Sequence, residues 1–186
     1  RAIDAVGVGF MFAPVHHSAM RHAIGPRREL GMRTVFNILG PLTNPAGVKR
    51  QVIGVYSAHL CQPMAEVLKM LGSEHALIVH SDDGLDEISI AGGTQVTELR
   101  DGSIESYRIC PEDFALQPQS LDGLSVSSAT QSASLIRRAL AGADDEAAKK
   151  AAAMLALNAG ATIYVSGIAA TLADGVAMAE DALASH

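Results

Sequence analysis

The sequence predicts an α/β fold: a mixed, partly parallel sheet flanked by helices. Its first support is a strand pattern at Gln51–Tyr56, apolar residues Leu60, Met64, Val67, Leu68 and Leu71 at helical spacing, and a second apolar strand at Ala76–His80. Strand, helix and strand within about thirty residues make a βαβ unit, a parallel pair joined by a right-handed crossover. Asp101-Gly102 between Gln95–Leu99 and Ile104–Arg108 is a dipeptide favoured in tight hairpins, so antiparallel strands follow the parallel pair. From Ser127 onward the composition shifts to alanine, predicting three sheet-covering helices at about Thr130–Leu140, Asp145–Val165 and Thr171–Ala184.

Taken in chain order, Val6–Phe12 reads as a strand. Ser18 caps a short helix ending near Gly25, Pro26 opens a second, and Thr34 caps a third that Gly40-Pro41 ends. Pro63 is tolerable in the first turn of the crossover helix and Gly72 stops it. Ile88–Ile90 reads as a short strand. Asp144, Asp145 and Glu146 suit a helix N-terminus, and Glu146 with Lys150 forms a favourable i,i+4 pair. No internal repeat is visible, and no linker exceeds the Pro111–Gln119 region.

Length and composition narrow the function. The 186 residues are 48% hydrophobic, enough for one substantial core, and only 4% aromatic, so that core is aliphatic. A net charge of −6 argues against a general nucleic-acid surface. No apolar stretch reaches the roughly 18 residues of a membrane span. Cys61 and Cys110 show no CxxC or disulfide-like spacing, which fits a reducing cytoplasm and incidental thiols. His16, His17 and His22 lack paired ligand spacing, so zinc is not expected.

Two segments carry candidate chemistry. Gly25–Pro45, GPRRELGMRTVFNILGPLTNP, is dense in arginine, glycine, proline and asparagine; it breaks into short helices that bury little surface of their own and so present groups to a ligand. The other, HSDDGLDE at residues 80–87, follows a strand of the parallel pair, where α/β sheets gather ligands. Asp82-Asp83-Gly84 alone reads as a solvated turn. Asp86 and Glu87 stand on the sheet rim before Ile88, and hard oxygen ligands of this kind suit Mg²⁺ with a phosphorylated substrate. Neighbouring side chains on an extended chain face opposite ways, which leaves one ion, two ions or a water-mediated contact open.

GVGFMFAPVHHSAM, GPRRELGMRTVFNILGPLTNPAGVKRQVIGVY, DDGLDEIS, YRICPEDFAL and LNAGATIYVSGIA together resemble the anthranilate phosphoribosyltransferases, of the nucleoside phosphorylase-like glycosyltransferases. The resemblance runs over nearly the whole chain. It implies a fragment of the large α/β domain (residues 1–186), with residues of about 18–45 packing as part of a small helical domain. The amino-terminal helical domain and the phosphate-binding loop, with its GTGGD and KHGN segments, are absent from these residues, and the 186-residue chain alone is expected to be inactive. Ser18 replaces the family's usual proline, and His186 stands where glycine is expected.

Carried over position by position, the resemblance implies that Arg27 holds anthranilate, that His17 and Pro14 line the same pocket, and that Asp86 and Glu87 are magnesium ligands. It implies transfer of the phosphoribosyl group from phosphoribosyl diphosphate to the anthranilate amine in tryptophan biosynthesis, with Mg²⁺ as cofactor and no dedicated catalytic base from these residues. The partners implied are the two substrates and a second copy in a homodimer, with neither nucleic acid nor membrane involved.

Overall fold

A computed structural model describes residues 2–12, 36–44 and 46–185. The chain divides into two compact units, Arg1–Val48 and Lys49–His186. In the first, α1 covers Ala2–Val6 and α2 covers Phe36–Leu42, with Pro41 inside its last turn. The strand expected at Val6–Phe12 is not formed. Gly7 takes φ +74 and its N–H donates to Ile3 O at 2.9 Å, so a left-handed glycine closes α1 and 7–12 continue without regular structure.

The second unit is built on a four-stranded sheet: β1 (Arg50–Gly54), β2 (His75–Ser81), β3 (Thr94–Arg100) and β4 (Ser103–Ile109), in that spatial order. Strands β1 and β2 pair in parallel, joined through a short 3₁₀ turn and α3 (Cys61–Met70). The antiparallel pairs β2–β3 and β3–β4 complete the sheet. Arg100 faces Ser103 across the hairpin, and Asp101 (φ 50) and Gly102 (φ 80) occupy the left-handed region, which a type I′ turn requires of both central residues. The mixed, partly parallel sheet expected from the sequence is therefore present.

Burial explains why β2 is apolar throughout. Alternate residues point to opposite faces: Leu77 and Val79 join a core with Leu157, Ala161 and Val165 of α5 (Glu146–Ser166) and Val176 of α6 (Leu172–Ala184). Ala76 and Ile78 point the other way and are also fully buried, with α3 packed on β2 and β3. The remaining helix, α4 (Ala129–Leu140), packs on α5 through Leu135 and Ala139. Each C-terminal helix has a polar start, which the sequence implies at Asp144, Asp145 and Glu146 for α5. The side chains of Ser128, Asp145 and Thr171 accept main-chain N–H bonds, and Glu146 pairs with Lys150 at 2.8 Å. Gly160 and Gly175 let α5 and α6 touch backbone to backbone, since a Cβ on Gly160 would lie 2.5 Å from Val176 Cα.

A second correction concerns Ile88–Ile90, which is buried as expected but is not a strand. Its main chain is satisfied elsewhere: Ile88 by the Asn158 carboxamide, Ser89 N–H by Thr94 Oγ1 at 3.2 Å, and Ile90 O by Gln119 N–H at 2.9 Å. Both cysteines are free thiols; Cys61 is buried, and that burial raises its pKa. No helix among the described residues is long and apolar enough to cross a membrane.

Candidate functional site

The acidic loop leaves the carboxyl end of β2, and its four carboxylates divide into two kinds. Asp82 is held by Arg108 of β4 in a two-pronged ion pair, one prong 2.8 Å from Nη1 to Oδ1. The Arg108 hydrogen bond sets the Asp82 carboxyl below its usual range. Gly93 makes room for that arginine, because a Cβ there would lie 2.1 Å from Arg108 Nη2. Asp83 turns inward instead. Its carboxylate accepts from the hydroxyls of Ser81 and Ser89 and, at 3.2 Å, from Leu85 N–H. The segment is the exposed turn the sequence suggested, and it is also held by Arg108 of β4 and by the Ser81 and Ser89 hydroxyls.

Partial burial would raise the Asp83 pKa, but the Ser81, Ser89 and Leu85 donors together lower it. A carboxyl depressed by folding contributes stability above its unfolded pKa, near 3.9, and loses it as pH falls through the lower folded value. Acid unfolding of wild type is expected to steepen below about pH 4, and Asp83→Asn should flatten that limb while lowering stability at pH 7. Parallel acid limbs for the two proteins, measured by circular dichroism, would contradict this role.

Asp86 and Glu87 are the other kind. Both are exposed, and among the described residues neither side chain has a hydrogen bond or ion pair. Glu87 is one of the residues lining an apolar cleft of about 570 Å³ whose walls include Leu124, Leu135 and Met154. Partial desolvation of its carboxyl, and secondarily the Asp86 charge, raise its pKa. Two carboxylates that repel one another and lack a cation are a fitting donor pair for a hard metal ion. No group of three or more His, Cys, Asp or Glu side chains suited to a metal occurs among the described residues. A Mg²⁺ ion here would draw its remaining ligands from substrate phosphates and water.

Two residues that sequence reasoning missed locate the pair. Gly54, at the end of β1, lies so close to Asp86 that an added Cβ would be 1.6 Å from its carbonyl oxygen. Asn158 of α5 holds the Ile88 main chain. Glycine within a buried strand signals close backbone approach, and asparagine is a weak helix former amid the alanines of α5; both signals were present. The expected anthranilate residues Arg27, His17 and Pro14, and the helices expected to start at Ser18 and Pro26, lie outside the described residues.

A βαβ-led mixed sheet with a pinned carboxylate pair beyond the carboxyl end of an inner strand defines an α/β ligand-site architecture. The chain belongs to the glycosyl transferase family, a/b domain, whose sequence model matches residues 1–185. It is 64% identical over 185 residues to an anthranilate phosphoribosyltransferase of Saccharophagus degradans, covering 100% of this chain and 54% of that protein. The chain spans about half the length of the curated relatives it matches.

Solved structures are similar as well. Anthranilate phosphoribosyltransferase from Thermus thermophilus superposes with a TM-score of 0.86 at 43% identity, covering 99% of this chain and 53% of that one. The Saccharomyces cerevisiae enzyme in complex with PRPP and Mg gives 0.75 at 28% identity, covering 91% and 48%. The same yeast enzyme in complex with 4-fluoroanthranilate gives 0.80 at 26% identity, covering 95% and 51%.

Proposed function

We propose that this chain supplies the metal-binding and anthranilate-recognising part of an anthranilate phosphoribosyltransferase, which forms N-(5-phosphoribosyl)anthranilate and diphosphate in tryptophan biosynthesis. The observation that carries this reading is the Asp86–Glu87 pair, left without partners among the described residues on a loop whose other two carboxylates are held by Ser81, Ser89 and Arg108. Asp86 and Glu87 would hold Mg²⁺. The ion, when bound, supplies positive charge where the departing diphosphate gathers negative charge.

The chain's own residues do the rest of the work assigned to it. Arg27 binds the anthranilate carboxylate with its two-pronged guanidinium, which keeps its charge near neutral pH and so orients the amine. His17 and Pro14 line that pocket. An aromatic amine is largely unprotonated already, so no residue here is assigned as a base. Residues of about 18–45 belong in this reading to a small helical domain through which two copies associate, in the cytoplasm. In this reading the 186-residue chain by itself is expected to be inactive.

The test uses the natural full-length gene product. Anthranilate fluorescence should fall when phosphoribosyl diphosphate and Mg²⁺ are supplied together; phosphorolysis of a nucleoside without any such loss would reject the reading. Arg27→Ala is expected to raise the KM for anthranilate about ten- to a hundredfold, the worth of a charged hydrogen-bond pair, with little effect on the KM for phosphoribosyl diphosphate. Asp86→Asn should show the opposite pattern. Equal effects of both changes on both substrates would overturn the role assignment.

A further inference from the structure

We infer that Asn158 is a positioning residue for the carboxylate pair: its carboxamide clasps the main chain of Ile88 and so sets where Asp86 and Glu87 present their oxygens. The inference rests on the metal-binding reading of those two residues. Asn158 Oδ1 accepts from Ile88 N–H at 3.0 Å, and Nδ2 donates to Ile88 O at 2.9 Å. One side chain thereby satisfies both main-chain groups of a residue seventy positions away. A third bond, from Nδ2 to Met154 O at 3.0 Å within α5, aims the amide. This is the pairing a neighbouring strand would have supplied, and it explains why an apolar, strand-like triplet settles here without a ladder.

Its consequence for the site follows from connectivity. The Ile88 N–H belongs to the peptide after Glu87, so the clasp fixes that peptide plane, while the Ile88 side chain is buried in the core at 2% exposure. On the other flank, Asp86 O rests against Gly54. Glu87 lies between these two anchored peptides, and Asp86 enters directly into the first of them. An apolar residue at position 158 could preserve the packing around Ile88, but would leave its N–H and C=O without these partners. The arrangement resembles outer-shell support in metal sites, whose loss typically weakens metal binding about ten- to a hundredfold.

The experiment measures Mg²⁺ affinity of the natural full-length product by calorimetry in the presence of phosphoribosyl diphosphate, for Asn158→Leu and Asn158→Ala. Tyr164→Phe serves as a control on the same helix, since it loses hydrogen bonds that Tyr164 makes to Glu98 and Arg100 rather than to the loop. We expect Mg²⁺ affinity to fall about ten- to a hundredfold in the Asn158 variants, with the KM for anthranilate unchanged and the control at wild-type affinity. Wild-type Mg²⁺ affinity in a folded Asn158 variant, or an equal loss in Tyr164→Phe, overturns the inference. Asp86→Asn separates the two levels: if it weakens Mg²⁺ and the Asn158 variants do not, only the positioning role fails. If Asp86→Asn binds Mg²⁺ like wild type, the metal reading fails and the inference with it. Hydrogen exchange on the unmutated protein covers the case of variants that do not fold: Ile88 N–H should be protected, and exchange at the rate of an open loop amide overturns the clasp.

Discussion

Gly54→Ala is expected to weaken Mg²⁺ binding by the natural full-length product about a hundredfold, the scale of loss that a 1 Å misplacement of working groups brings. The cause is steric. A Cβ at this position would meet Asp86 O at 1.6 Å, Asp86 C at 2.5 Å and Asp86 Cβ at 3.0 Å. These are main-chain and near-main-chain atoms, so no flexible side chain can swing away. The Asp86 peptide must shift by more than an ångström, or β1 must leave its register against β2. Position 54 is the last β1 residue paired with β2, opposite Val79, and the next residue is still tied there by Val55 N–H donating to Val79 O at 2.9 Å, so the loop is the part that yields. Overpacking of this kind costs about 1–3 kcal/mol of stability as well. Gly92→Ala is the matched control, because a Cβ there meets nothing within 4 Å. Equal Mg²⁺ affinity in wild type and both variants, by calorimetry with phosphoribosyl diphosphate, would remove Gly54 from the site.

Gly54 also shows what could be read from residues in order and what could not. The β1–α3–β2 unit was legible because two short apolar runs bracket apolar residues at helical spacing within one stretch. The β3–β4 hairpin was legible because Asp101-Gly102 fits a turn that demands positive φ at both positions. Such signals are local. Val6–Phe12 failed because an apolar run does not itself distinguish a strand from a helix end followed by irregular chain, and Gly7 decided the outcome. Ile88–Ile90 failed for a different reason: burial was correctly implied, but its hydrogen-bond partner is the side chain of Asn158 rather than another strand.

The candidate site divides in the same way. Asp86 and Glu87 could be singled out because a carboxylate pair at a strand end is a local pattern. Asp82 and Asp83 stand only a few positions earlier, yet their roles depend on Arg108 from β4 and on Ser89 beyond the loop. Partners brought from β4 and from beyond the loop are set by the fold, so the internal roles of Asp82 and Asp83 were not legible in the loop sequence alone.

Glu98→Ala is expected to lower stability by about 3–5 kcal/mol, the scale for breaking a buried ionic or hydrogen-bonded cluster. Glu98 Oε1 accepts from Tyr164 OH at 2.7 Å and lies 2.7 Å from His75 Nε2, while Oε2 accepts from Tyr107 OH at 2.8 Å. One carboxylate on β3 therefore joins β2, β4 and α5. The His75 side chain is 5% exposed and that of Glu98 12%, so little water is available to replace the lost acceptor. Burial, followed by the Glu98 hydrogen bond, raises the pKa of both tyrosines and keeps them as donors. Glu98→Gln keeps the shape and one acceptor, and a tyrosine hydroxyl can turn to accept from the new amide; its cost should be nearer 1 kcal/mol. Adding Tyr107→Phe and Tyr164→Phe to Glu98→Ala should recover part of the loss, since phenyl rings leave no orphaned hydroxyl. In thermal melts of the natural full-length product, Glu98→Ala should fall by roughly 10 °C. Glu98 stands opposite Leu77, whereas the carboxylate loop leaves β2 after Ser81, about 13 Å along the strand at its usual rise. Mg²⁺ affinity well below the transition should therefore stay at the wild-type value. A Glu98→Ala protein that melts with wild type, or that loses Mg²⁺ while still folded, would show that this cluster does not serve as a scaffold independent of the site.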